Sequence, residues 1–172
     1  MNIPLCVKDS TIRILFTEGS DRRMMEAAIQ LHNEHILTPL LYGDTKELHA
    51  LAVEYGLSLA GILIVDPKQF AHREDMIRRM LKLRKGKTDE QTCREWLMKD
   101  TYFCTMYVEL GYADGLLGGS ANSTADTLRP IMQLIKTRLP HTIVSSCFLM
   151  SRKDEHYIFA DCSLNRNPDT DE

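Results

Sequence analysis

Short apolar runs alternate along this chain with longer segments of helical period, the order expected for β-α-β units wound around a parallel sheet. The run RILFTE, residues 13–18, reads as a first strand and is followed at once by Gly19 and Ser20. Ser20 is a suitable N-cap for DRRMMEAAIQLHNEH, where Met24, Ala27, Ala28, Leu31 and His35 recur on one face. LTPLLYG predicts a second strand, Gly43 and Asp44 open the helix TKELHALAVEYG, and Gly56 is its C-cap. GILIVDP is the clearest strand, ended by Asp66 and Pro67.

From Gln69 to Leu110 the period is helical, broken only near RKGKTDE, so two helices are expected with Thr88 capping the second. ADGLLGG returns to strand character, then a loop of small residues runs into a helix through Thr137. Beyond Pro140 the texture changes to two β-rich runs joined by SRKDEH, a hairpin pattern that needs a larger sheet to join. The chain ends in the polar stretch NRNPDTDE. The expected fold is a three-layer αβα domain with a mainly parallel sheet over residues 1–140. Residues 141–172 supply the first strands of a second, truncated α/β domain.

Composition narrows the class without naming a function. With 172 residues, 44% hydrophobic, 26% charged and a formal net charge of -3, the chain is that of a globular protein with a real core. That balance gives no support to nucleic acid or an anionic membrane as the main partner. No apolar run approaches the ~20 residues of a membrane span, which points to the cytoplasm. The five cysteines, Cys6, Cys93, Cys104, Cys147 and Cys162, form no C-x-x-C pair and are expected as reduced thiols in or near the core. His32 and His35 lack further ligands and read as a surface pair, so no metal is expected. Met24, Met25, Met76 and Met80 read as core filler.

The chemistry concentrates in LGGSANSTADTLRPIMQLIKT, residues 117–137. Gly118 and Gly119 follow a strand and precede the donors Ser120, Asn122, Ser123 and Thr124, and Ser123 with Asp126 has capping-box spacing. Free backbone N–H groups beside glycines at the carboxyl end of a parallel strand suit phosphate, although the same residues also serve a plain strand-to-helix turn. Pro130 biases Arg129 away from the α region, so a helix break is expected there, and an arginine at such a break either aims its fork into the loop or is solvated. Arg138 lies past the loop and serves as its comparison. The second basic site is LKLRKGK, with Lys82, Arg84, Lys85 and Lys87 around Gly86, where a solvated helix end explains the charges equally well. No dinucleotide fingerprint follows the first strand, against a nucleotide-dependent oxidoreductase.

Three stretches together resemble one family. ILFTEGSDRRMMEAA is similar to an opening strand and helix of the form I-x-x-P-E-x-x-D-x-R, with Thr17 at the place of the proline. ADGLLGGSANSTADTLRPIMQLIKT resembles the signature loop, and VSSCFLM with YIFADCSLNRNP resembles the two strands after it, of phosphate acetyltransferases and their butyryl-transferring kin. The resemblance implies reversible acetyl transfer between coenzyme A and inorganic phosphate, with coenzyme A as substrate, no tightly bound cofactor, no metal, no covalent enzyme intermediate and a homodimer. It assigns the phosphate side to Arg129 and Arg84 as catalytic arginines, with Ser123 and Thr124 in the hydroxyl loop beside them; together with Gly119, Ser120 and Asn122 from the loop reading, these are the expected binding residues. It also implies that the thiol-contacting serine and arginine, and the aspartate base, belong to a segment beyond these 172 residues. A chain without them is expected to turn over little or not at all, or to be a non-catalytic paralogue that binds phosphate or coenzyme A or pairs with another chain.

Overall fold

The computed structural model describes residues 11–135, 137, 144–160 and 162. Cys6, Arg138, the expected domain boundary at Pro140 and the tail NRNPDTDE lie outside them. The described residues fall into two compact units, 11–135 and the group 137, 144–160 and 162.

The first unit is built on four parallel strands, β1 (Arg13–Phe16), β2 (Thr38–Tyr42), β3 (Leu63–Val65) and β4 (Gly115–Leu117), in the order β3-β2-β1-β4. Leu15 pairs with Leu40 on one side and Leu116 on the other, which fixes the register at the centre of the sheet. Neighbouring residues of a strand face opposite ways, and the core divides accordingly. Phe16 and Leu41 pack with Met24, Met25 and Ala28 of α1 (Arg22–Asn33) and with Leu48 and Ala52 of α2 (Thr45–Tyr55). Leu15, Leu40, Tyr42 and Val65 instead pack with α3 (Arg73–Arg84), α4 (Glu90–Trp96), α5 (Asp100–Glu109) and Leu134 of α6 (Thr124–Leu134). Helices on both faces make the three-layer αβα arrangement, and Met25, Met76 and Met80 are fully enclosed in it.

Several local expectations are corrected. GILIVDP forms only the three-residue edge strand β3, with Leu63 exposed. The stretch from Gln69 to Leu110 holds three helices rather than two, because Lys99 takes an extended conformation and restarts the chain as α5. Asp21 and Asp89, rather than Ser20 and Thr88, cap α1 and α4, accepting from the amides of Arg23 and Thr92. His35 lies beyond the end of α1 and is exposed. Asp44 and Gly56 cap α2 as the sequence predicts, Gly56 at φ 69°.

In the second unit, β5 (Cys147–Arg152) and β6 (Glu155–Ala160) form an antiparallel hairpin turning at Lys153 and Asp154. Cys93 and Cys104 are buried, whereas Cys147 and Cys162 are exposed in the hairpin unit, where the described residues build no core.

Candidate active site

The site grows from the carboxyl ends of the two central strands. Because β1 and β4 are neighbours, the Thr17 amide continues their pairing with a bond of 3.0 Å to the Leu117 carbonyl, and the next residue, Glu18, arrives beside the loop after β4. A proline in place of Thr17 would have no N–H to make that bond. Glu18 is 9% exposed, and its carboxylate accepts six hydrogen bonds. Oε2 takes the Gly119 amide at 3.0 Å, the Ser120 amide at 2.8 Å and the Ser120 hydroxyl at 2.7 Å. Oε1 takes the amides of Ala121 at 3.0 Å and Asn122 at 2.9 Å, and the Asn122 side-chain Nδ2 at 2.9 Å. Burial pushes the Glu18 carboxyl upward, but the Ser120 hydroxyl and the loop amides outweigh it and bring the group down to about 2.

Asp21 and Arg23 tie the same loop from the side of α1. The Arg23 guanidinium donates to Asp21 at 2.6 Å and to the Ser120 carbonyl at 3.2 Å, and its bonds hold the Asp21 carboxyl well below the usual range. Gly119 lies at φ 98°, a conformation that favours glycine. At Gly19 the constraint is space: an added Cβ would run into the carbonyl oxygen of Tyr42, which is backbone and cannot swing aside. Gly19→Ala is therefore expected to lower stability by about 1–3 kcal/mol in urea unfolding, the usual cost of overpacking. An unchanged unfolding midpoint would refute the close approach.

These contacts correct the reading of free N–H groups at the loop mouth. The loop from Gly119 to Asn122 does hold an anion, and that anion is the protein's own Glu18. Ser123 caps α6, accepting from the Asp126 amide at 3.1 Å while its hydroxyl donates to the Asp126 carboxylate at 2.6 Å. Thr124 follows as the first, exposed residue of the helix.

The expected break at Arg129 is also absent, since α6 runs straight through Pro130. Proline costs the helix one backbone donor, but Pro130 and Leu134 are both buried one turn apart, and that packing carries the helix past it. Arg129 is exposed and makes no hydrogen bond or ion pair among the described residues. It lines a cavity of about 300 Å³ together with Lys99, Thr101, Tyr102, Asn122 and two acids, Asp100 and Asp126.

Arg84 is built into the frame. It ends α3, donates from Nη1 to the Gln133 carbonyl at 3.2 Å, and stands 5.8 Å from the Trp96 ring centre. Its Nε is buried without a partner among the described residues. The Tyr102 hydroxyl donates to the Gln133 side chain at 2.7 Å, and the charges of Arg129 and Arg84 both oppose the rise that burial imposes on it. Gln133 thus links Arg84 to Tyr102, through its carbonyl on one side and its side chain on the other. Lys82, Lys85 and Lys87 are exposed.

A larger cavity of about 610 Å³ opens at the carboxyl ends of β1, β2 and β3. It is lined by Glu18, Asp21, Asp44, Glu47 and Asp100, with Lys68 already paired to Asp44 at 2.7 Å. That lining is strongly acidic, whereas the smaller cavity sets Lys99 and Arg129 against Asp100 and Asp126. No group of three or more His, Cys, Asp or Glu side chains suited to a metal occurs among the described residues. No helix among them is long and apolar enough to cross a membrane.

Sequence reasoning missed Glu18, Lys99 and Tyr102. The readable signal for Glu18 was a carboxylate placed directly after an apolar strand and before Gly-Ser, where a buried charge demands partners.

Comparison with known proteins follows the same stretches. A family model described as phosphate acetyl/butaryl transferase matches residues 2–172. The phosphate acetyltransferase of Bacillus subtilis (strain 168) is 42% identical over 164 residues, which cover 95% of this chain and 51% of that protein. A phosphotransacetylase structure from Staphylococcus aureus superposes with a TM-score of 0.81 at 38% identity, over 92% of this chain and 48% of that one. One from Streptococcus pyogenes gives 0.83 at 37% identity, over 92% and 49%. The chain thus spans about half the length of the curated relatives it matches.

Proposed function

Since the chain belongs to the phosphate acetyl/butaryl transferase family, we propose that it supplies the phosphate-holding half of an active site for reversible acetyl transfer between coenzyme A and inorganic phosphate. The observation that carries this reading is the Arg129 guanidinium, which lines an open cavity with Tyr102 and makes no hydrogen bond or ion pair among the described residues, while Arg84 is anchored on Gln133, whose side chain accepts from the Tyr102 hydroxyl, with its Nε unpartnered among the described residues. Guanidinium groups keep their charge and match phosphate oxygens in bidentate fashion. In the direction of acetyl-CoA formation, the thiolate sulfur bonds to the acetyl carbonyl carbon and the bond from that carbon to the phosphate oxygen breaks. Phosphate leaves with the electron pair, and the arginines stabilise the charge it gains. Thr101 and Asn122, which line the same cavity, orient the phosphate at its rim, with Thr124 at the start of α6 as a further donor, and the thiol proton passes to a base outside the described residues.

Coenzyme A and acetyl phosphate are substrates in this scheme rather than tightly bound cofactors, and a cytoplasmic protein is expected to use them. Residues 1–140 then form the phosphate-binding domain and residues 141–172 the opening of a second one, and a homodimer is the assembly expected. The test is coenzyme A-dependent release of phosphate from acetyl phosphate. The polypeptide of residues 1–172 is expected to bind inorganic phosphate with little or no turnover, whereas any longer product of the same reading frame turns over. Robust turnover by residues 1–172 would overturn the division of the site, and absence of phosphate binding by either would overturn the function.

A further inference from the structure

We propose that Glu18 is a positioning residue, a built-in anion that fixes the 119–122 loop so that substrate phosphate is held by side chains and not by the loop amides. The inference rests on the acetyl-transfer reading for the identity of the substrate, but its physical basis is separate. Converging backbone N–H groups normally form a concave site for an external anion. Here four consecutive amides, Gly119 to Asn122, are all taken by one carboxylate from just past the end of β1, 101 to 104 residues away in sequence.

Displacing that carboxylate would strand a buried charge, which is more costly than binding phosphate elsewhere. Asn122 shows what the arrangement achieves. Its side chain donates to Glu18, and the residue lines both the acidic cavity and the cavity with Arg129. Glu18 therefore holds Asn122 in the wall between the two cavities, directly before Ser123 caps α6, and so steadies the approach to the helix that carries Arg129. Arg23 reinforces the same wall by its bond to the Ser120 carbonyl.

The isosteric change Glu18→Gln separates this role from mere packing. Glutamine keeps an acceptor for one half of the cage and turns an NH2 group toward the donors of the other half. Amide hydrogen exchange is measured on the full chain, with the Thr17 amide bonded to Leu117 as internal reference, alongside titration with inorganic phosphate. In Glu18→Gln the 119–122 amides are expected to exchange about tenfold faster relative to Thr17, and the phosphate dissociation constant to rise about tenfold. Glu18→Asp, which keeps the charge, recovers part of both. In the wild type, saturating phosphate leaves exchange at these four amides unchanged.

Protection of the loop amides by phosphate in the wild type would show that phosphate displaces Glu18 and would overturn the proposal. So would unchanged loop exchange in Glu18→Gln. Should that variant fail to fold, Glu18→Asp and the wild-type titration still decide. A wild type that binds no phosphate at all refutes the acetyl-transfer reading instead, and the exchange comparison between wild type and Glu18→Gln still decides whether Glu18 organises the loop.

Discussion

Replacing Arg129 by alanine is expected to weaken phosphate binding, and to lower kcat/KM for acetyl phosphate in any longer active product, by about two orders of magnitude. Charge-assisted hydrogen bonds to phosphate contribute roughly 1.5–3 kcal/mol each, and two lost together account for a factor near one hundred at about 1.4 kcal/mol per decade. The fold should not notice the change, because Arg129 makes no hydrogen bond or ion pair among the described residues. Arg84→Ala differs in kind. It removes the bond to the Gln133 carbonyl and the contact with Trp96, so binding and thermal stability fall together. Arg22 provides the comparison, an exposed arginine of α1 paired with Glu26 at 2.8 Å, away from both cavities. Arg22→Ala should leave phosphate binding within about twofold, in line with the small worth of surface pairs. Equal losses for Arg129→Ala and Arg22→Ala in a phosphate titration would make Arg129 an ordinary solvated helix residue.

The sheet and its order of helices were legible because apolar periodicity is a local signal, and each of β1, β2 and β4 and each of α1, α2 and α6 follows one. What was not legible falls into two groups. The first concerns choices between adjacent residues of similar competence. Ser20 and Asp21, or Thr88 and Asp89, can each cap a helix, and the structure uses the aspartate, whose charge also favours a helix N-terminus. The start of α5 at Lys99 carries neither glycine, proline nor a capping side chain, so nothing in the pattern announced it. The second group is non-local. The glycines and hydroxyls after β4 suggested free amides for an external anion, but the partner of those amides is Glu18, just past the end of β1, a pairing that only the sheet order creates. Arg129 was singled out for its residue type, while the helix break expected to aim it was overruled by the burial of Pro130 and Leu134.

The second large effect concerns stability and pH. The Glu18 carboxyl is held at about 2 in the folded chain, against an ordinary value near 4.3 when unfolded. A lowered folded value means that the carboxylate stabilises the fold at pH above the unfolded value, and that this contribution is lost as pH falls from about 4.3 toward 2. A difference of roughly two units corresponds to about 3 kcal/mol. Glu18 is 9% exposed, so solvent screening reduces this figure little. Glu18→Gln is therefore expected to be about 3 kcal/mol less stable than wild type at pH 7, because it loses the charge and opposes an NH2 group to the Gly119 and Ser120 amides. The two proteins should converge as pH falls to about 2 and below, where Glu18 takes up its proton in the folded chain and comes to resemble glutamine in charge. Asp21 also lies below its ordinary range through Arg23, but it is present in both proteins and cancels from the comparison. Urea unfolding of wild type and Glu18→Gln across pH 2 to 7 measures the difference directly. A gap that stayed constant with pH would mean that Glu18 acts through shape alone, and no gap at pH 7 would mean that the loop amides find water as good a partner as the carboxylate.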